Sequence, residues 1–230
     1  MRLNADVGEH PAAIDDGRQQ DLLALVDDAN VACGGHAGDL DTMARTVAQC
    51  RALGVAVGAH PSTPDRAGFG RAPIAGSPRD VEDAVRAQLL ALRAVCEEAG
   101  VALAHVKPHG ALYHAAGDHE EWALLLLRAV RSAGLDAPLV LIAGARTAQA
   151  LRAQGVRVLA EGFADRAYDE QGRLVPRGHP GALVSDAALA AAQVRRLALH
   201  GDVDTVCVHG DTPGALAVAR AVRDALGPRG

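Results

Sequence analysis

Six short segments carry side chains able to do chemistry: Asn4-Ala5-Asp6 with Glu9, Gly35-His36-Ala37-Gly38-Asp39, Ala59-His60-Pro61, His105-Val106-Lys107-Pro108-His109, Glu161 through Asp165-Arg166, and His209-Gly210-Asp211. Histidine suits both proton transfer near neutral pH and metal ligation. Any one of His36, His60, His109 and His209 could serve simply as a polar loop residue. Taken together with Asp6 and Glu9 they read as a site. Asp6, His36 and His60 are the candidate ligands if a divalent metal is used, although no His-Glu-x-x-His helix anchors a zinc assignment.

Lys107 is the only lysine among the 23 Lys and Arg residues. A chain that uses arginine for every other cation keeps one lysine beside two histidines. Lysine offers a compact ammonium and, when desolvated, can lose its proton, neither of which a guanidinium does. A buried structural ion pair is the plain alternative; the expectation here is a catalytic role. Arg71, Arg166 and Arg177 suit a carboxylate or phosphate clamp, with a surface salt bridge as the alternative for Arg177. Gly34, Gly35, Gly38, Gly68 and Gly70 would let backbone N–H groups approach an anion. None of them belongs to a Walker-type or dinucleotide-binding loop.

The elements that must hold these residues recur with a steady beat. Apolar runs rich in Val and Ala predict strands at Arg2–Asp6, Asp28–Cys33, Val55–His60, Ala102–Lys107, Pro138–Ala143, Arg157–Phe163 and Asp204–His209. Between and after them, helical periodicity predicts a short helix within 16–26, then Leu40–Leu53, Pro78–Ala99, Asp118–Ala133, Ala145–Gln154, Asp186–Leu199 and Pro213–Leu226. Asp41, Ser77-Pro78, Asp118 and Asp186 are the expected helix starts, and Gly54, Gly100, Gly134 and Gly155 the expected stops. Alternation of this kind means parallel strands joined by right-handed crossovers. The fold class expected is α/β, a distorted seven-stranded parallel (β/α) barrel formed by residues 1–230 as one domain. The reactive segments fall at the carboxyl ends of the strands, where such folds build their sites. Pro61–Pro78, the longest stretch without periodicity, reads as a functional loop.

Composition narrows the classes further. Hydrophobic residues make up 49% and charged residues 22%, a globular balance that excludes a disordered chain. Aromatics at 2% and a net charge of -5 leave neither a stacking platform nor a field for nucleic acid, so none is expected as partner. No apolar run approaches the roughly 20 residues that span a bilayer, and the start of the chain lacks a secretory pattern. A soluble, cytoplasmic protein without membrane partners is expected. Cys33, Cys50, Cys96 and Cys207 form no CxxC pair and read as small buried hydrophobes.

The longer motifs LNADVGE, NVACGGHAGD, VGAHPSTPDRAGFGR, HVKPHGALYH and EGFADRAYDEQGRLVPR closely resemble the LamB/YcsF family, that of the bacterial 5-oxoprolinase A subunits. The resemblance runs in order from Leu3 to about Ala182. Gly35 departs from it, standing where the family usually has phenylalanine. The segment His10–Gln20 is also shorter and more polar than usual. The resemblance implies a barrel of the glycoside hydrolase/deacetylase type and ATP-dependent opening of 5-oxoproline to glutamate, performed with subunits B and C. ATP would act within the complex. Catalytic positions carried over are Asp6, Lys107, His109 and Asp165, with Asn4, His36, His60, Arg71 and Arg166 around the substrate. Two other readings remain open: a metal-dependent deacetylase or amidohydrolase acting alone, and a non-catalytic subunit that binds substrate and docks its partners.

Overall fold

The computed structural model describes residues 1–210 and 214–229. Seven parallel strands close into a barrel in chain order: β1 (Arg2–Val7), β2 (Asp28–Ala32), β3 (Ala56–His60), β4 (Leu103–Val106), β5 (Leu139–Ile142), β6 (Val158–Phe163) and β7 (Thr205–Val208). Closure comes from β7 pairing with β1, Val208 opposite Ala5. Every expected strand is present; β1 runs one residue further, to Val7, and the other six are shorter by one or two residues.

The helices wrap the outside. They are α1 (Pro11–Asp15), α2 (Arg18–Leu23), α3 (Leu40–Leu53), α4 (Pro78–Ala99), α5 (Gly110–Asp118), α6 (Glu120–Ser132), α7 (Arg146–Ala153), α8 (Ala187–His200) and α9 (Ala215–Leu226). Several expected boundaries move. Asp39, not Asp41, caps α3: its carboxylate accepts from the Thr42 N–H at 2.8 Å while the Thr42 hydroxyl accepts from the Asp39 N–H at 2.7 Å. Asp118 ends α5 instead of starting the next helix, and extended backbone at His119 separates α5 from α6. The short helix expected within 16–26 is α2, which starts after Gly17 at φ +86°, and α1 ahead of it is an additional helix. Ser77 and Asp186 do cap α4 and α8. Gly54 and Gly100 close α3 and α4 in the left-handed conformation, whereas Gly134 and Gly155 sit one residue beyond their caps. Pro213, the expected start of the last helix, and Asp211 lie outside the described residues.

Two kinds of interior result. Outward-facing strand residues such as Leu3, Val31, Val57, Val106 and Val206 pack against the helices in one continuous apolar core. Inside the barrel the opposite set points at the axis, because side chains alternate along a strand. Most of that set is polar, namely Asn4 and Asp6, Asn30, His60, His105, Glu161 and Thr205, while Phe163 and Cys207 form a small apolar cluster with Tyr113. Between β3 and β4 the register slips, Val57 pairing Leu103 and Ala59 pairing Val106. An extra residue in one strand re-aims the side chains that follow, here His105 and Lys107. All four cysteines are buried, and burial pushes the Cys33 and Cys50 thiols up to about 12.

Candidate functional site

A hydrogen-bonded floor spans the barrel beneath its carboxyl-end mouth. The Asn4 amide donates to Glu161 Oε1 at 3.0 Å and to the Thr205 hydroxyl at 2.8 Å. Asn30 donates to Asn4 Oδ1 and Asp6 Oδ1, both at 2.8 Å, and accepts from His105 Nε2–H at 2.6 Å. Lys107 rises from this floor with Nζ 2.9 Å from Asp6 Oδ1 and 2.9 Å from Glu161 Oε1. Its remaining contacts are Cys207 Sγ at 3.1 Å and Asn4 Oδ1 at 3.4 Å. Burial opposes the lysine charge, but the Asp6 and Glu161 carboxylates outweigh it and hold the pKa well above the ordinary lysine value. Lys107 is therefore an ammonium. Desolvation does not discharge it.

Asp6 is the lower rim of the mouth. Burial alone would raise its pKa; His60 and the Lys107 ammonium bring it well below the usual carboxylate range. Asp165, at the end of β6, accepts the His209 backbone N–H at 2.8 Å and the His209 Nδ1–H at 3.0 Å. Burial works against its charge, and these contacts with His209 lower its pKa all the same. The pair leaves His209 Nε2 directed away from Asp165, and one ring nitrogen of His209 lies within 4.8 Å of both Asp6 and Cys207.

On the opposite side stand Glu9, His36, His60 and His109. Their four ligand-capable atoms lie within 4.8 Å of one another, an arrangement able to hold a divalent metal. Glu9 Oε1 is 2.9 Å from His36 Nε2, 3.9 Å from His60 Nε2 and 3.7 Å from His109 Nδ1. Asp6, a candidate metal ligand by residue type, is 3.4 Å from His60 Nε2 but belongs with Cys207 and His209.

Two lobes open above this floor, of about 320 and 430 Å³, and both are lined by Asp6, Arg71, His109 and His209. The larger adds Lys107, Arg166, Arg177 and Tyr113. Arg166 is buried, with one guanidinium N–H on the Val175 carbonyl at 2.7 Å and Nε without a hydrogen-bond partner. Burial and the neighbouring Arg177 lower its pKa.

The LamB/YcsF family profile matches residues 1–230. The chain belongs to the LamB/YcsF family. Among curated relatives, the 5-oxoprolinase A subunit of Chloroflexus aggregans is 46% identical, with 97% of this chain and 94% of that one covered. That of Methylococcus capsulatus is 45% identical over 99% and 92%. The solved lactam utilization protein from Thermus thermophilus superposes with a TM-score of 0.88 at 41% identity, covering 98% of this chain and 95% of that one. A fungal β-1,4-galactanase is similar in fold alone, at 11% identity and a TM-score of 0.51. Among the described residues no helix is long and apolar enough to cross a membrane.

In this LamB/YcsF barrel the residues singled out from the sequence meet at one mouth. Asp6, His60, Lys107, His109, Arg71 and Arg166 line its lobes and Asn4 lies in the floor, while His36 and Asp165 are buried behind the lining, against Glu9 and His209. Sequence reasoning named His105 only as a neighbour of Lys107, and it passed over Asn30, Ser62, Phe69 and Gln88. The Gln88 side chain reaches in from α4, donating to the Ser62 carbonyl at 2.7 Å and accepting the Ser62 N–H at 3.0 Å. Gly35 has its reason here: a Cβ on it would collide with the Gln88 amide and the Ser62 hydroxyl. Phe69, on the Pro61–Pro78 loop, packs edge-on against both His36 and His109.

Proposed function

We propose that this chain, acting as one domain, is the lactam-binding and ring-opening subunit of an ATP-dependent 5-oxoprolinase. It would work with two further subunits, B and C, to convert 5-oxoproline into glutamate. The observation that carries this reading is near full-length likeness, above 40% identity, to chains named as 5-oxoprolinase A subunits and to a lactam utilization protein. A five-membered lactam is a stabilised amide. Phosphorylation of its oxygen by ATP, with release of ADP, makes the ring carbon open to water. Once water has added, the C–N bond breaks with a proton passing to the nitrogen, and a second water releases phosphate from the acyl phosphate that is left.

The site offers a part for each demand. The Arg166 and Arg71 side of the larger lobe suits the substrate carboxylate, since a guanidinium binds carboxylate in bidentate fashion. His209, held in one tautomer by Asp165, takes the proton from the attacking water; an oriented imidazole is the usual general base. Asp6, ionised and facing His209, orients that water. Lys107 balances Asp6 and Glu161 and supplies positive charge beneath the phosphorylated lactam oxygen. His36, His60 and His109 wall the mouth.

The test is glutamate release from 5-oxoproline by the purified chain with subunits B and C and ATP, omitting one component at a time. Glutamate should form only in the complete mixture. ATP hydrolysis by this chain alone should be negligible, because its sequence carries no Walker-type loop. Turnover by the other subunits without this chain would overturn the reading. The Glu9 and three-histidine group favours a second reading, a metal-dependent amidohydrolase acting alone, and ATP-independent turnover by the single chain would establish it.

A further inference from the structure

Hydrogen bonds on the outer edge of the histidine rings decide what their inner edge can offer. A backbone carbonyl only accepts. His60 Nδ1 lies 2.8 Å from the Lys107 carbonyl, so it carries the proton and donates. His109 Nε2 lies 3.0 Å from the Phe69 carbonyl and does the same. With both rings neutral, bare lone pairs would face each other, His60 Nε2 and His109 Nδ1 being 2.9 Å apart, and His60 Nε2 would face Asp6 Oδ2 at 3.4 Å as well. His36 repeats the pattern: the Ser62 hydroxyl donates to the Thr63 carbonyl at 2.8 Å and accepts from His36 Nδ1–H at 3.1 Å. His36 Nε2 then faces the Glu9 carboxylate at 2.9 Å, another contact between two acceptors. Such contacts repel unless a cation lies between them.

We propose that Glu9, His36, His60 and His109 form a binding site for one divalent transition-metal ion of the zinc class. Three imidazoles and one carboxylate are a donor set suited to zinc, with bonds of about 2.0–2.1 Å that place tetrahedral ligand atoms roughly 3.3 Å apart. The separations of 2.9, 2.9, 3.7 and 3.9 Å lie on either side of that value. Ligating histidines usually give their other N–H to a carbonyl or carboxylate, which fixes tautomer and ring direction. The carbonyl that serves His109 is itself held by strain: Phe69 sits at φ +54°, the sole non-glycine residue with positive φ among the described residues.

One feature of the ligand set must change on loading. The His36 and His109 rings are stacked, centroids 3.7 Å apart and planes within 7°. No single point lies in both ring planes, so one ring turns. His36 is the ring free to follow, because its outer partner is a rotatable hydroxyl while His60 and His109 are tied to backbone carbonyls. When bound, the ion would supply a Lewis acid beside Asp6 at the mouth of the larger lobe.

The experiment needs neither lactam, ATP nor partner subunits, so its failure is separate from failure of the proposed function. The full chain, stripped with chelator and dialysed, is titrated with Co2+ and followed by visible absorption; bound Zn2+ is counted by elemental analysis. One ion per chain is expected, with an intense four-coordinate cobalt spectrum and a rise in Tm. His60→Ala and His109→Ala should weaken binding at least 100-fold, and Ser62→Ala about 10-fold. Should either alanine variant fail to fold by circular dichroism, Glu9→Gln and His109→Gln replace it. A folded wild-type chain that binds neither ion, or variants that bind with unchanged affinity, would overturn the proposal.

Discussion

Asp165 accepts two hydrogen bonds from the same residue, the backbone N–H and the Nδ1–H of His209, at 2.8 and 3.0 Å. The double contact fixes both the position of the His209 backbone and the tautomer of its ring. Replacing Asp165 with Asn keeps the shape but brings an amide N–H into competition for these donors. If His209 is the general base, the substitution stabilises the wrong tautomer. Asp165→Asn should lower kcat of the reconstituted complex about 10²–10⁴-fold, with KM for 5-oxoproline little changed. A kcat within threefold of wild type, in a variant with an unaltered circular dichroism spectrum, would leave Asp165 a structural acceptor only.

Lys107 is bound on two sides by carboxylates, and its removal strands both. In Lys107→Met the Asp6 and Glu161 charges stay buried without their cation. Breaking a buried ion pair from one side typically costs about 3–5 kcal/mol. Urea unfolding should show a loss of that size, and Glu161→Gln combined with Lys107→Met should recover part of it. Lys107→Arg tests chemistry rather than charge: a guanidinium keeps the cation but is planar and longer. That variant should stay folded and lose most turnover in the complex. Near-normal turnover by folded Lys107→Arg would make the lysine a structural cation.

The barrel and the location of its mouth were legible because strand and helix alternate without interruption and reactive residues follow the strands. The floor was harder to read. Asn30 lies within an apolar strand and His105 on a period-2 alternation, a pattern that equally describes a strand with one face in water. Only closure of the barrel turns that face inward. Asp118 misled for a different reason: an acid before Glu120 and Glu121 looks like a cap, yet the extended backbone falls one residue later, at His119. Gln88 could not be placed at all, since its partner Ser62 is far away in sequence and meets it only when α4 packs beside β3. Nor does any spacing reveal which ring nitrogen of His60 or His109 faces a carbonyl.

Gly58 has no room for a side chain. A Cβ there would fall within the His105 ring, closer than any van der Waals contact allows. His105 cannot swing aside without losing its bond to Asn30. Overpacking of this kind typically costs about 1–3 kcal/mol, occasionally more. Gly58→Ala should therefore lower the urea midpoint by at least that equivalent, and adding His105→Ala should bring part of it back. An unaffected midpoint in Gly58→Ala would mean that the floor is loose enough to rearrange.

His105 also gives the fold an acid-side weakness. Its ring is buried and donates Nε2–H to Asn30 Oδ1 at 2.6 Å. Burial is the main influence on its pKa and, with the Lys107 charge close by, lowers it from 6.5 to about 4. The unfolded chain takes up a proton on this histidine near pH 6.5, whereas the folded chain resists until about pH 4. Between those values the unfolded state binds more protons, so stability falls as pH falls and is fully present above the unfolded pKa. A lowering of this size corresponds to about 3 kcal/mol for a fully buried ring. Urea midpoints measured at pH 7.5 and at pH 4.5 should thus differ more in wild type than in His105→Gln, which cannot titrate. Gln retains an N–H for Asn30, so the comparison isolates the proton from the hydrogen bond. Equal pH dependence in the two proteins would show that His105 is protonated in the folded barrel and that the floor tolerates its charge.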